Sequence, residues 1–217
     1  MGKVQGVKEK LHYPIYDAFF VPAPKGDENK SFQDFMTDPR MIRFFVDVQN
    51  KTRLETNLQA SGVLPSLNTF EARALRVVVS SPQDTNKAEQ QDENAAGFLT
   101  DLIYTSVTTL LVGEKIMIEM PTFFFPSGAG VSQGAGSENA TDTVLNHGQA
   151  DPMSTFRFAE PVIIEPQQNF RVEISFPQGV PGQTAPGTPA DSKRLAGVKG
   201  PFRIWVVLDG YLTRDVQ

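Results

Sequence analysis

The stretch NFRVEISF, residues 169–176, decides the fold. Phe170, Val172, Ile174 and Phe176 alternate with Arg171, Glu173 and Ser175. Period-two alternation gives a half-buried β-strand, because successive side chains of an extended chain point to opposite faces. Burying one Phe side chain is worth about 1.5–3 kcal/mol. Phe170 and Phe176 at the two ends therefore fix which face turns inward.

The same period recurs on both sides of this stretch. Phe202, Ile204, Val206 and Leu208 make a second alternating face, with Arg203 and Trp205 opposite. Ile42, Phe44, Val46 and Val48 make a third, interrupted by Phe45. Residues 69–80 are an apolar run ending in three valines. Residues 105–120 predict a hairpin turning at Gly113-Glu114 in type II′ geometry, with Gly at its first central place. In its second arm Ile116, Ile118 and Met120 point one way, Lys115, Met117 and Glu119 the other. Pro121 and Pro126 bracket residues 122–125, which places that end at an edge or rim. Residues 155–158 and 162–165 read as two short strands separated by Pro161. Only residues 95–104 suggest a helix, weakened by Gly97.

About eight strands with at most one or two helices, and no strand–helix alternation, exclude a parallel α/β sheet. Strands with one apolar and one polar face fit antiparallel sheets wetted on one side. The expected fold class is all-β: an antiparallel β-sandwich, a single jelly roll of about eight strands with long loops. Residues 31–217 would form this domain, preceded by an N-terminal arm over residues 1–30. The arm has three prolines after Tyr13 and no clear period. Its apolar Tyr13, Ile15, Phe19, Phe20 and Val21 would pack either on their own domain or on a neighbouring subunit. Residues 83–94, 127–150 and 177–200 read as long surface excursions.

Composition bounds the function. The 217 residues carry a formal net charge of −5 and no cysteine. A mildly acidic chain lacks the basic surface that attracts nucleic acid. Without cysteine there is no disulfide framework, thiolate metal site or cysteine nucleophile. No stretch reaches the ~18 uncharged apolar residues of a membrane span. The first 20 residues lack the apolar core of a signal peptide. On that expectation the sequons at Asn29, Asn50 and Asn139 are chance matches.

The glycine-rich loop spells two motifs. Gly128, Gly130 and Gly134 resemble a dinucleotide-binding turn, and residues 130–134 fit G-x-S-x-G around Ser132. Both motifs require a helix to follow, and the residues after Gly134 do not start one. Ser132, Asp142 and His147 also crowd into a single loop, where nothing rigid would hold a catalytic triad. The other histidine, His12, is 135 positions from His147, so no imidazole pair can be presented by one strand. Glu138, Asp142 and Asp151 are carboxylates in the same loop, without the spacing of an EF-hand. Arg40 and Arg43, and Lys193, Arg194 and Lys199, are small basic groups best read as solvated surface. The reading is therefore a non-enzyme with no catalytic, cofactor or metal site and no specific nucleic-acid site.

What remains is contact surface. Trp205 and Val207 share the strand face opposite Ile204, and an apolar pair on a second face favours an interface. Phe19, Phe20, Trp205 and Val207 are the candidate subunit-contact residues. A strand such as PQQNFRVEISFP (residues 166–177), followed by a last strand FRIWVVLDGYLTRDVQ (202–217) and preceded by a short arm, resembles the jelly-roll capsid proteins of tailless icosahedral viruses, bacteriophages in particular. That resemblance spans residues 31–217 and is one of architecture. It implies a capsid protein of the virion, made in the host cytoplasm, whose partners are copies of itself and other capsid proteins. The arm departs from capsid arms that bind the genome, since its five lysines and four acids nearly cancel. The alternative is a β-sandwich module that binds carbohydrate or a cell surface, with Trp205 as a stacking platform.

Overall fold

The computed structural model describes residues 8–23, 30–65, 67–80, 95–125, 155–185, 188–191 and 194–215. Among the described residues nine strands form two antiparallel sheets that face each other as a β-sandwich. They are β1 (Lys8–His12), β2 (Ile15–Val21), β3 (Met41–Phe44), β4 (Thr69–Val79), β5 (Val107–Val112), β6 (Lys115–Pro121), β7 (Arg157–Ile164), β8 (Phe170–Ser175) and β9 (Phe202–Asp215). Two short helices are α1 (Phe32–Phe35) and α2 (Ala95–Thr105). Among the described residues no helix is long and apolar enough to cross a membrane.

One sheet runs β1-β9-β4-β7, with β2 pairing the same edge of β9 further along; the other runs β3-β8-β5-β6. The pairs nest: β2 with β9, β3 with β8, β4 with β7, β5 with β6. Except at the β5–β6 hairpin, the chain changes sheet at each step from β2 to β9. The path is that of one long antiparallel ribbon wound up on itself.

The core lies between the sheets. Phe170, Val172 and Ile174 of β8 face Phe202, Ile204, Val206 and Leu208 of β9, all fully buried. Phe32 of α1 closes one end, with Phe19, Phe176 and Phe202 at centroid distances of 5.6, 6.5 and 6.0 Å. Phe98 of α2 adds an edge contact to Phe202 at 4.8 Å. Such aromatic pairs add about 0.5–1.5 kcal/mol each beyond the area they bury. Asp101 holds α2 in place: its carboxylate accepts two hydrogen bonds from Arg194, at 2.8 and 2.9 Å, and one from the Leu195 N–H.

Of the two places open to the arm, residues 8–21 take the first: they pair along β9, with Ile15, Ala18 and Val21 buried in their own domain. Three details differ from the sequence expectation. β3 ends at Phe44, because Phe45 takes a left-handed conformation (φ 69°) that turns its ring onto Phe170, 5.3 Å away. In the β5–β6 hairpin Gly113 supplies the positive φ that the turn needs, but the register slips between Leu110 and Leu111. Met117 is the extra residue and, against expectation, packs on the core together with Ile118 and Met120, while Ile116 turns out and is 52% exposed. Finally, β7 continues through Pro161. Its pairing jumps from Ala72↔Val162 to Ala74↔Arg157, so 158–161 bulge from the ladder. An edge strand tolerates this because its outer N–H groups have no ladder to join.

Candidate contact surfaces and a polar groove

The four candidate contact residues divide between two faces. In the β2–β9 ladder Phe19 pairs with Ile204 and turns inward, its ring against Phe32. Phe20, Trp205 and Val207 turn outward, with Ala18 opposite Trp205 and Tyr16 opposite Val207. Their first neighbour is the chain itself. Trp205 Nε1 donates to the Leu54 carbonyl at 2.9 Å, so the connection between β3 and β4 lies across this face. The Arg203 guanidinium stacks over Phe20 at 4.0 Å and faces Glu55 at 3.7 Å. Trp205 is thus a half-buried anchor for a loop of its own subunit.

Two acids tie that loop down. Asp17, inward-facing and fully buried, accepts the Phe45 N–H at 2.7 Å and holds Lys51 Nζ at 2.9 and 3.0 Å. Burial pushes its carboxyl up, and the Lys51 cation only partly offsets this. Burial acts on Glu55 in the same sense. There the Thr52 N–H and hydroxyl, with the Arg203 and Lys51 cations, outweigh it and hold the carboxyl below its ordinary value. Asn57 completes the attachment. Its Oδ1 accepts the Tyr16 N–H at 3.0 Å and its Nδ2 donates to the Pro14 carbonyl at 2.8 Å. These bonds occupy the outer edge of β2, which would otherwise offer unpaired backbone groups.

A groove of about 700 Å³ opens where this loop meets the sheet. Val207 and Arg76, neighbours in the β4–β9 ladder, form its floor. Tyr13, Tyr16, Lys51 and Arg53 contribute to its walls. Arg76 makes a two-pronged pair with Asp209. The Tyr16 hydroxyl donates to the Arg53 carbonyl at 2.5 Å, which fixes its ring.

A second apolar surface lies where β6 ends and β7 begins. Tyr104, Phe123 and Phe124 are exposed to 71%, 43% and 40%. Tyr104 and Phe123 stack at 6.1 Å, and Phe123 and Phe124 at 4.6 Å. Phe156 continues the row through Phe124 at 6.1 Å, and Phe158 follows at 6.3 Å. Below the row Phe125 is buried, and its carbonyl accepts the Val77 N–H at 2.7 Å. Thr122 anchors it through hydroxyl contacts with Ser106 (2.6 Å) and Thr108 (2.9 Å). The sequence signal was the TFFF run between two prolines, a run of aromatics with no strand alternation to bury it. The groove left no comparable signal, because its walls come from residues some 40 positions apart.

Arg40, Arg43, Arg194 and Lys199 lie at the surface, Arg43 and Arg194 half exposed. Arg43 faces Asp38 and Glu173 at 3.9 and 3.7 Å, and Arg194 is bound to Asp101. His12 leans on Tyr211 at 5.6 Å. Gly128, Gly130, Gly134, Ser132, Glu138, Asp142, His147, Asp151 and Lys193, and the loop 127–150 as a whole, fall outside the described residues. Among the described residues no three His, Cys, Asp or Glu side chains group to hold a metal ion. No family model, no curated protein and no solved structure matches this chain.

Proposed function

We propose that this chain is a structural shell subunit, a viral capsid protein of bacteriophage type that assembles with copies of itself into an icosahedral shell. The observation that carries the reading is the nested strand order, β2-β9-β4-β7 against β3-β8-β5-β6. We read that order as the winding of a jelly roll, one of the double-sheet architectures used by capsid domains. The aromatic row at the β6–β7 end supports it, since three neighbouring exposed rings exceed the scattered apolar residues of an ordinary surface. Two rigid sheets with a wet face, and connections available for contacts, suit a subunit whose work is symmetric association. On this reading the role is structural rather than catalytic, the partners are other capsid chains, and the protein resides in the virion after synthesis in the host cytoplasm.

Purified full-length chain, examined by sedimentation velocity and negative-stain imaging over a range of salt and pH, tests this directly. Closed particles, or pentamers and hexamers of uniform size, are the expected result. A monomer that persists under all conditions at high concentration overturns the proposal.

A further inference from the structure

The groove beside Tyr13 has properties that the shell reading does not use. Its volume of about 700 Å³ falls within the ~300–1,000 Å³ of small-ligand sites. Part of its wall is tied down by the chain itself. Asn57 bonds β2 in both directions, Thr56 Oγ1 donates to the Tyr16 carbonyl at 3.0 Å, and Tyr16 is tied to Arg53. Preformed walls lower the ordering cost of binding.

The charge count narrows the ligand. Three cations line the groove: Lys51, Arg53 and Arg76. Lys51 is neutralised by Asp17 and Arg76 by Asp209. Arg53 meets no carboxylate among the described residues, so three cations less two acids leave one positive charge. One unpaired guanidinium fits one carboxylate through two parallel hydrogen bonds. A polyphosphate or a nucleic-acid strand would bring more negative charge than the site balances. The remaining lining is amphipathic: two tyrosine rings, with Tyr13 42% exposed, and the apolar Pro14, Leu58 and Val207. Aromatic faces beside polar groups suit a sugar ring, whose C–H face is apolar and whose rim is hydroxylated.

We propose that this groove binds a monoanionic saccharide, a sugar of one or two rings carrying a single carboxylate. Arg53 takes the carboxylate, Tyr13 and Tyr16 pack on the ring, and Lys51 in the wall and Arg76 in the floor are each held by an acid.

The test is titration of the full chain with the methyl glycosides of glucuronic acid and N-acetylneuraminic acid, read by saturation-transfer NMR and calorimetry. Methyl glucoside and inorganic sulfate serve as neutral and anionic controls. At least one sugar acid is expected to bind, more weakly as salt rises. Arg53→Gln and Tyr13→Ala each weaken it about tenfold or more, while Lys199→Gln does not. Arg53→Lys, which keeps the charge but not the fork, gives an intermediate loss. No binding of either sugar acid, equal binding of methyl glucoside, sulfate binding as tightly as the sugars, or variants that bind like the parent each overturn the proposal. Thermal melts of each variant identify any that fail to fold, and Arg53→Lys then carries the comparison. Sedimentation of the same samples reports assembly separately, so failure of the groove and failure of the shell reading come apart.

Discussion

Asp17 sits on the inner face of β2 between apolar neighbours, opposite Val206 in the ladder. It stays there because each oxygen has a partner: the Phe45 N–H, presented by a left-handed residue, and Lys51. Removing one partner of such a buried pair strands the other, so Asp17→Ala is expected to cost about 3–5 kcal/mol in chemical denaturation. The pH dependence has an unusual sign for an acid. Its folded value lies above the ordinary 3.8, so the folded state holds the proton more tightly than the unfolded one. The stability linked to that proton is complete below pH 3.8 and is lost as pH rises through the folded value. Glu55 behaves oppositely: lowered from 4.5, it stabilises above that pH and loses this contribution as pH falls. Comparing denaturation of the parent with Asp17→Asn from pH 3.5 upward isolates the first effect. The difference should move in favour of the variant as pH rises, and a difference independent of pH would refute the assignment.

At the scale of elements, β9 organises the larger sheet, with β1 and β2 along one edge and β4 along the other. It crosses a bulge in β4 between Ala72 and Ala74, and there the two backbones close up on Gly210. A Cβ at Gly210 would lie 2.1 Å from the Glu71 carbonyl oxygen, which only backbone movement can relieve. Gly210→Ala should therefore lose roughly 3 kcal/mol or more, a fall of about 6–12 °C in Tm for a domain of this size. The edge of β2 makes a separate prediction. Asn57→Ala removes both side-chain bonds and leaves the Tyr16 N–H and Pro14 carbonyl without them. About 1–3 kcal/mol of stability should go with each group left unsatisfied, and the bared edge should raise concentration-dependent aggregation, measured by light scattering. A melting temperature unchanged in Asn57→Ala would show that water replaces the side chain there.

For the whole molecule the apolar surfaces are unequal. The outward patch at Trp205 and Val207 is partly occupied by the chain's own loop, whereas the row of Tyr104, Phe123 and Phe124 stands open. If assembly uses the open row, Phe123→Ser together with Phe124→Ser should weaken self-association about tenfold or more by lost apolar burial. The melting temperature of the monomer should fall as well, since both rings are more than half buried. Sedimentation equilibrium and calorimetry read the two effects independently. Association that survives the double substitution would move the contact elsewhere on the sandwich.

The sequence by itself determined the strands whose faces differ in polarity. Residues 169–176 and 202–208 could be assigned and oriented because each buried position carries a large apolar side chain and each outward one, Val207 apart, a polar or amphipathic one. Residues 15–21 could not: buried Asp17 breaks the apolar face, and adjacent Phe19 and Phe20 supply both faces with aromatics. That strand exists because β9 offers it a ladder and Lys51 neutralises its acid, and both partners are distant in the chain. The same holds for the slip at Met117, the turn at Phe45 and the tolerated Pro161, where pairing with a neighbour overrides local alternation. The strand order and the groove are likewise products of tertiary structure. Periodicity records which side of a strand is buried, but carries no information about which strand lies beside it or which loop folds over it.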